Sequence, residues 1–277
     1  MSEHIEGGFT GSAGGRIYWQ GWLPDSAPIG IVVISHGVAE HGGRYEHVGT
    51  RLTENGYAVY AIDHRGHGKS EGVRSNIDRV SGVVADLDTL IRATAAKHPD
   101  VPVFLLGHSM GGLIALQYLS GSAYDLRGAV IIAPAVEVEV GNIVTLTAAP
   151  ILSRLLPNLG VLKLDSSEVS RDAQVVEDYD NDSLNFRGKL PARTGAEILA
   201  TAQKLQSRLS NVTLPLLVLH GSDDKLVSPS SSKIVADNVA STDLTHKEYE
   251  GLYHEVLNEP EKEAVIDDVV AWLKAHN

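Results

Sequence analysis

The 277-residue chain contains no cysteine. That excludes disulfides, thiolate nucleophiles and cysteine-held metal, while leaving a reducing and an oxidising compartment equally open. Positive charge is also scarce: 23 Lys and Arg stand against 35 Asp and Glu, a formal net charge of −12. Such a surface repels phosphate backbones, so nucleic acid is not an expected partner, and a neutral substrate suits it better than an anionic one. The opening residues, Met1 to Glu6, have neither a basic stretch nor an apolar run and do not read as a secretory signal. Nor is there a clean membrane span, which needs about 20 predominantly apolar residues. The nearest approach, 140–162, carries only Arg154 as a charge, but Pro150, Pro157 and Asn158 interrupt it. It reads as an exposed apolar cover. A cytoplasmic location, or peripheral attachment to a membrane or envelope, is therefore expected.

What is present is an ordinary globular composition, 43% apolar, at a length that α/β folds often reach as one unit. Short apolar runs alternate with helical patterns, the signature of a largely parallel sheet. The runs at 30–35, 58–63, 103–106, 129–133, 216–220 and 244–249 read as strands, most of them continuous, as strands covered on both faces should be. The stretches 5–10 and 16–22 read as an antiparallel hairpin. Helices are expected at 80–97, where Val83, Val84, Leu87, Leu90 and Ile91 keep a 3.6-residue period. Others are expected at 110–119 and 230–240, and at 261–274 behind Pro260. The alternation stops near Ala135 and resumes near Leu214, a gap too long for a bare loop. It carries a helical pattern of its own at 192–209. The expected organisation is a core of 1–135 and 214–277 with an inserted helical cap at 136–213.

The strongest chemical signal is Gly107-His108-Ser109-Met110-Gly111, placed where a buried strand ends and a helix begins. A serine on so sharp a turn needs small neighbours, and the helix N-terminus directs free N–H groups at an oxyanion formed beside it. A serine also needs a base. On such a sheet the partners follow in the order Ser, Asp or Glu, then His, at the C-terminal ends of strands. Of the histidines late enough in the chain, His246 falls inside the last strand and His276 is penultimate, which leaves His254 in its loop. The acid should follow the strand 216–220, where Asp223 and Asp224 stand side by side and sequence alone does not separate them. Glu137, beyond the preceding strand, is a rival acid. The second oxyanion donor should come from the loop His36–Tyr45, whose small residues let its backbone approach a substrate. Asp63–Ser70 reads as a bracing turn. The histidines His36, His41, His64 and His67 lie on two separate loops without a carboxylate ligand pattern, so no metal is expected.

Together these residues resemble the monoacylglycerol lipase family, its bacterial branch most closely, over nearly the whole chain. The serine elbow is widely shared among esterases; the loop His36-Gly37-Val38-Ala39-Glu40-His41-Gly42-Gly43-Arg44-Tyr45 is far more selective. The resemblance implies an α/β-hydrolase fold with a lid, and places the acid on Asp224. It implies backbone oxyanion donors at Val38 and Met110, and substrate-binding polar groups at Glu40 and Arg44. Two departures stand out: Ala39 occupies a position where the family usually has glycine, and Asn181-Asp182-Ser183-Leu184 replaces Asn-Asp-Pro-Leu in the cap. The implied activity is hydrolysis of monoacylglycerols through an acyl-enzyme, without a cofactor. Close alternatives are a lysophospholipase or a broad carboxylesterase; a non-catalytic binding module would not need an ordered triad. The apolar stretch 140–162 is expected to line an acyl tunnel and to touch a membrane or micelle transiently.

Overall fold

Aliphatic runs bounded by turn residues become strands here because each side chain finds a dry neighbour on one face of the sheet or the other. The computed structural model describes residues 3–121, 124–137 and 150–277. Its strands are β1 (Glu3–Thr10), β2 (Arg16–Leu23), β3 (Gly30–Ser35), β4 (Tyr57–Ile62), β5 (Val103–His108), β6 (Gly128–Ile132), the short β7 (Gly160–Leu162) and β8 (Leu190–Pro191), β9 (Leu216–Gly221) and β10 (Leu244–Tyr249). Strands β3, β4, β5, β6 and β9 are buried at every residue. Eight strands form one sheet in the order β1-β2-β4-β3-β5-β6-β9-β10. The first two form the antiparallel hairpin, β2 joins β4 antiparallel, and from β4 to β10 all pairs are parallel.

The chain order turns back between β3 and β5: β4 lies on one side of β3 and β5 on the other. Loops leaving β3 and β5 therefore diverge and open a crevice at the carboxyl ends of the strands, where sheets of this kind bind ligands. Ser35 pairs with Gly107 at this point, so the loop beginning at His36 and the elbow at Ser109 start side by side.

Helices cover both faces. On one, α1 (Glu46–Glu54) packs with the last helix, α7 (Lys262–Ala275); between them in the chain come α2 (Val80–Lys97), α3 (Met110–Leu119), α4 (Ala173–Asn181), α5 (Ala192–Gln206) and α6 (Ser230–Asn238). Val48 and Leu52 with Val265, Ile266 and Val269 bury Val32, Ile34, Leu106 and Leu219 on that face. Leu87 and Leu113 bury Val33, Leu105 and Ile131 on the other. Ile198, Ala202 and Leu205 of α5 join this second cluster, so the segment inserted between β6 and β9 is rooted in the core through α5.

Two helices carry too little periodic signal to be read from sequence. Helix α1 has only Val48 and Leu52 as large apolar residues, with Gly49 between them. That glycine lies against Trp22, where a Cβ would come within 2.5 Å of the ring. Helix α4 buries Tyr179 alone. Helices α5 and α6 end earlier than their patterns suggest, at Gln206 and Asn238. Of the apolar stretch 140–162, residues 140–149 lie outside the described residues.

The turn after β4 braces the floor of the crevice. Asp63 accepts the Gly42 N–H at 2.8 Å and the Lys69 N–H at 2.7 Å, and Ser70 donates to the Asp63 carbonyl at 2.6 Å. His36, His64 and His67 pack there with ring centroids 4.6 and 5.3 Å from that of His36. Burial pushes His36 down to about 4 and His67 to about 3, and holds His64 well below its ordinary value. The unfolded chain therefore binds protons that the folded one refuses. Their stabilisation is complete above the unfolded value of about 6.5 and is lost as pH falls toward the folded values. At pH 5 His36 and His67 are each expected to withdraw about 2 kcal/mol, and His64 acts in the same direction. The urea midpoint should fall markedly from pH 7 to pH 5, and less steeply in His64→Gln; equal midpoints at the two pH values would refute this.

Candidate active site

Ser109 sits on the turn between β5 and α3 with φ 55° and ψ −119°. A non-glycine residue rarely adopts this backbone, and the neighbours explain how it is held. A Cβ on Gly107 would come within 2.6 Å of the Gly111 carbonyl, and one on Gly111 within 1.9 Å of the Ser35 carbonyl. Only glycine at both positions lets the helix close so tightly on two strands. The turn is then pinned by Ser109 N–H to Ile132 O at 2.9 Å and Ala135 N–H to Ser109 O at 3.2 Å.

The structure brings Asp224, and not Asp223, to His254. Asp223 is exposed and accepts from the Ser222 hydroxyl at 2.9 Å. Asp224 is buried and accepts from His254 Nδ1 at 2.7 Å. Burial alone would raise its carboxyl. The His254 charge, hydrogen bonds from His220 and His254 and the Val227 N–H outweigh it, and hold Asp224 below the usual carboxylate range. With Nδ1 committed, Nε2 is left to exchange a proton. Among the described residues there is no hydrogen bond between Ser109 Oγ and His254 Nε2. Both residues line one cavity, and such contacts commonly tighten only around a substrate. The rivals go elsewhere. Glu137 accepts from the Ser230 hydroxyl at the cavity rim. His246 lies on the edge strand β10, and His276 stacks on Trp272.

The loop after β3 runs directly beside the elbow: a Cβ on Gly37 would lie 3.2 Å from Ser109 Cβ. Met110 N–H belongs to the first turn of α3, where no intrahelical acceptor exists. Among the described residues neither it nor Val38 N–H donates to a protein group, so both can serve an oxyanion. Ala39 has φ 67°, a left-handed backbone that glycine adopts freely and alanine at a cost of about 1–2 kcal/mol. Its carbonyl accepts from Phe186 N–H at 2.8 Å, which ties the loop to the inserted segment.

Glu40 and Arg44 are engaged with protein. Glu40 Oε1 accepts from Gly37 N–H at 2.6 Å and the Tyr45 hydroxyl at 2.9 Å; Oε2 accepts from Arg44 at 2.9 Å. Arg44 forms a two-pronged pair with Glu255 at 2.6 and 2.7 Å and lies over the Tyr179 ring. Glu40 borders the cavity; Arg44 stands behind it. His108, which sequence reasoning passed over although it lies inside the elbow motif, completes the group. Its nitrogens face Glu40 Oε1 at 3.2 Å and the His254 carbonyl at 3.3 Å. The Tyr45 hydroxyl also meets Nδ1, at 3.1 Å, so the ring can stand neutral as its acceptor or carry a positive charge that Glu40 balances. Burial works against that charge, but the Glu40 hydrogen bond and carboxylate raise His108 above its ordinary value. Burial would lift Glu40, and the His108 hydrogen bond and Arg44 charge hold it well below the usual range instead. Beneath the loop Arg44 thus stands between the two carboxylates of Glu40 and Glu255, with His108 beside Glu40.

The cavity measures about 840 Å³. Its floor is Gly37, Ser109, Met110 and His254; its roof comes from the inserted segment, including Leu162, Val169, Tyr179, Phe186, Leu190 and Ile198. The same roof carries Lys163, Asp165, Asp180 and Arg187 beside its apolar residues. A serine sharing a cavity with a paired imidazole and with two backbone N–H groups free of protein acceptors can carry out acyl transfer on an ester.

Comparison with known proteins agrees with this chemistry. A family model described as serine aminopeptidase, S33 (Hydrolase_4) matches residues 26–261. The chain is 42% identical over 99% of both chains to the monoacylglycerol lipase of Mycolicibacterium smegmatis. It is 34% identical to human monoglyceride lipase, over 94% of this chain and 87% of that one. The crystal structure of Paleococcus ferrophilus monoacylglycerol lipase matches with a TM-score of 0.84 and 27% identity, covering 99% of this chain and 100% of that one.

Proposed function

As a member of the serine aminopeptidase S33 (Hydrolase_4) family, and within it of the monoacylglycerol lipases of the α/β-hydrolase superfamily, this chain is a carboxylic ester hydrolase, and we propose how its residues cleave a monoacylglycerol to glycerol and fatty acid. Ser109 Oγ attacks the ester carbonyl while His254 Nε2 takes its proton, and Asp224 keeps the imidazole in the tautomer that can accept it. The N–H groups of Val38 and Met110 hold the oxyanion, each contributing about 3 kcal/mol. The tetrahedral intermediate expels glycerol, protonated by His254. Water, deprotonated by the same nitrogen, then releases the fatty acid and restores Ser109. Glu40 and Arg44 support this by fixing the β3 loop through Gly37 and Glu255. The observation that carries the reading is the Asp224–His254 pair sharing one cavity with Ser109.

The segment 136–213 acts as a cap that selects lipid. Leu155 is 71% exposed, Ile151 61% and Leu162 56%, and Leu162 also lines the cavity, so the segment offers apolar side chains to solvent and one of them at the cavity itself. Among the described residues no helix is long and apolar enough to cross a membrane; surface contact fits this patch better. One experiment tests both points. Long-chain monoacylglycerol should be hydrolysed at least about tenfold faster than triacylglycerol or lysophospholipid, a difference of roughly 1.4 kcal/mol in barrier. Leu155→Asp and Leu159→Asp should weaken vesicle binding and long-chain hydrolysis while sparing a short soluble ester. Preference for lysophospholipid would replace the substrate assignment, and equal losses on both esters in a folded variant would remove lipid selection from the cap.

A further inference from the structure

Four donors hold the Asp224 carboxylate, and one of them is a second imidazole that takes no part in the steps above. Oδ1 accepts the N–H groups of Leu226 at 2.8 Å and Val227 at 2.9 Å. Oδ2 accepts His254 Nδ1 at 2.7 Å and His220 Nε2 at 2.9 Å. His220 is wholly buried near the end of β9, in a run of aliphatic residues where a leucine would pack as well. Its Nε2 also faces the Val227 carbonyl at 3.0 Å, and its Nδ1 meets the hydroxyl of Ser232, itself fully buried in α6. These partners fix the tautomer. A carbonyl and a carboxylate can only accept, so the proton is on Nε2, and Nδ1 receives the Ser232 hydroxyl.

We propose that His220 is a positioning residue for the reaction: its Nε2–H locks the rotamer of Asp224 and divides Oδ2 between two imidazoles. Asp224 then orients His254 without holding the imidazolium so tightly that it fails to release its proton to the leaving alcohol. The inference rests on Asp224 being the acid of the triad. The N–H dipole of His220 points its positive end at the oxygen that His254 uses, which makes that oxygen a weaker partner for a protonated ring. Other groups act on the same pair. His108 packs against the His254 ring at 4.7 Å. Glu137, Lys225 and Glu255 border the cavity with it. Glu248 pairs with His220 in register across β9 and β10, and His246 feels its charge from the same strand. All of these remain in place when only His220 is changed.

The test uses hydrolysis of glyceryl monobutyrate, a short ester whose alcohol must leave protonated, with the released acid measured across pH. His220→Leu is expected to lower kcat by about tenfold to a hundredfold, the scale of one hydrogen bond to a charged group, with KM within about twofold. The acid limb of the kcat/KM profile should move up by about half a pH unit, because His254 then holds its proton more tightly. His220→Gln places an amide nitrogen at the Nε2 position. It should recover kcat to within about threefold of the parent and return the limb. A folded His220→Leu protein with parental kcat and an unmoved limb overturns the proposal, as does a folded His220→Gln protein as impaired as His220→Leu. If His220→Leu does not fold, Ser232→Ala decides, since it removes the hydroxyl that braces Nδ1 and leaves the ring freer to turn its Nε2–H away from Asp224. A loss of about threefold to tenfold in kcat is then expected, and an unchanged kcat and limb overturns the proposal. Asp224→Asn, assayed beside them, keeps the two readings apart. Activity retained there removes the acid itself, whereas an inactive Asp224→Asn with an unaffected His220→Leu removes only the role of His220.

Discussion

Ser109→Ala and His254→Ala are each expected to abolish ester hydrolysis, with losses of about 10⁶-fold in kcat, because nucleophile and base act as a unit and removing either removes the covalent route. What remains should be the slow attack of water on an ester held against the Val38 and Met110 N–H groups. Stability should hold in both. Ser109 makes no described side-chain hydrogen bond that an alanine would orphan, and alanine tolerates φ 55° no worse than serine does. In His254→Ala, Asp224 keeps His220 and two backbone N–H groups, so no buried carboxylate is left bare. Two measurements check this: turnover of a short soluble ester, and labelling by a serine-reactive fluorophosphonate. Ser109→Ala should take up no label at all. A folded His254→Ala protein with near-parental turnover would end the assignment of the base.

Local rules made some of this site legible and left the rest hidden. Gly107 and Gly111 announce the elbow because steric closure leaves no alternative to glycine at either position. His254 could be picked by its place between the last strand and the last helix, since chain order on a parallel sheet dictates which loops meet. Asp223 and Asp224 could not be told apart in this way. Their facing is decided by the Asp223 N–H bond to Leu252 and the Leu226 and Val227 N–H groups that receive Asp224, none of which leaves a periodic trace. Family resemblance chose Asp224, which is the residue that meets His254. The same resemblance marked Glu40 and Arg44 as substrate groups. Their geometry instead depends on Glu255, 211 positions beyond Arg44, and on His108, hidden as the variable residue of the elbow. His220 left no signal because a histidine inside an aliphatic run reads as core. The strands were the easiest part, since burial on both faces leaves an unbroken apolar run. Helix α1 was missed because tertiary contact with Trp22, and not its own pattern, holds it.

Asp224→Asn is the sharper test of the electrostatics, with an expected loss of about 10⁴-fold in kcat while the fold is retained. The change is isosteric, yet it reverses the hydrogen bond that matters. An amide nitrogen turned toward His254 Nδ1 would force that atom to accept, which places the ring proton on Nε2 and leaves nothing to receive the proton of Ser109. An amide oxygen turned the same way keeps the tautomer but lacks the charge that stabilises the imidazolium. It would also place the NH₂ group toward Leu226 and Val227, whose N–H groups at 2.8 and 2.9 Å need an acceptor. Both orientations fail, for different reasons. The depressed carboxyl of Asp224 gives a second readout. Its stabilisation is complete above the unfolded value of about 4 and fades as pH falls through the lower folded value. The variant should therefore be less stable than the parent at pH 7, and the gap should narrow in acid. Asp223→Asn should change kcat by less than about threefold, since an exposed carboxylate bonded to Ser222 contributes little at the reacting atoms. The opposite ranking, with Asp223→Asn inactive and Asp224→Asn near parental, would mean that the 2.7 Å contact between Asp224 and His254 is not the one that turns the serine into a nucleophile.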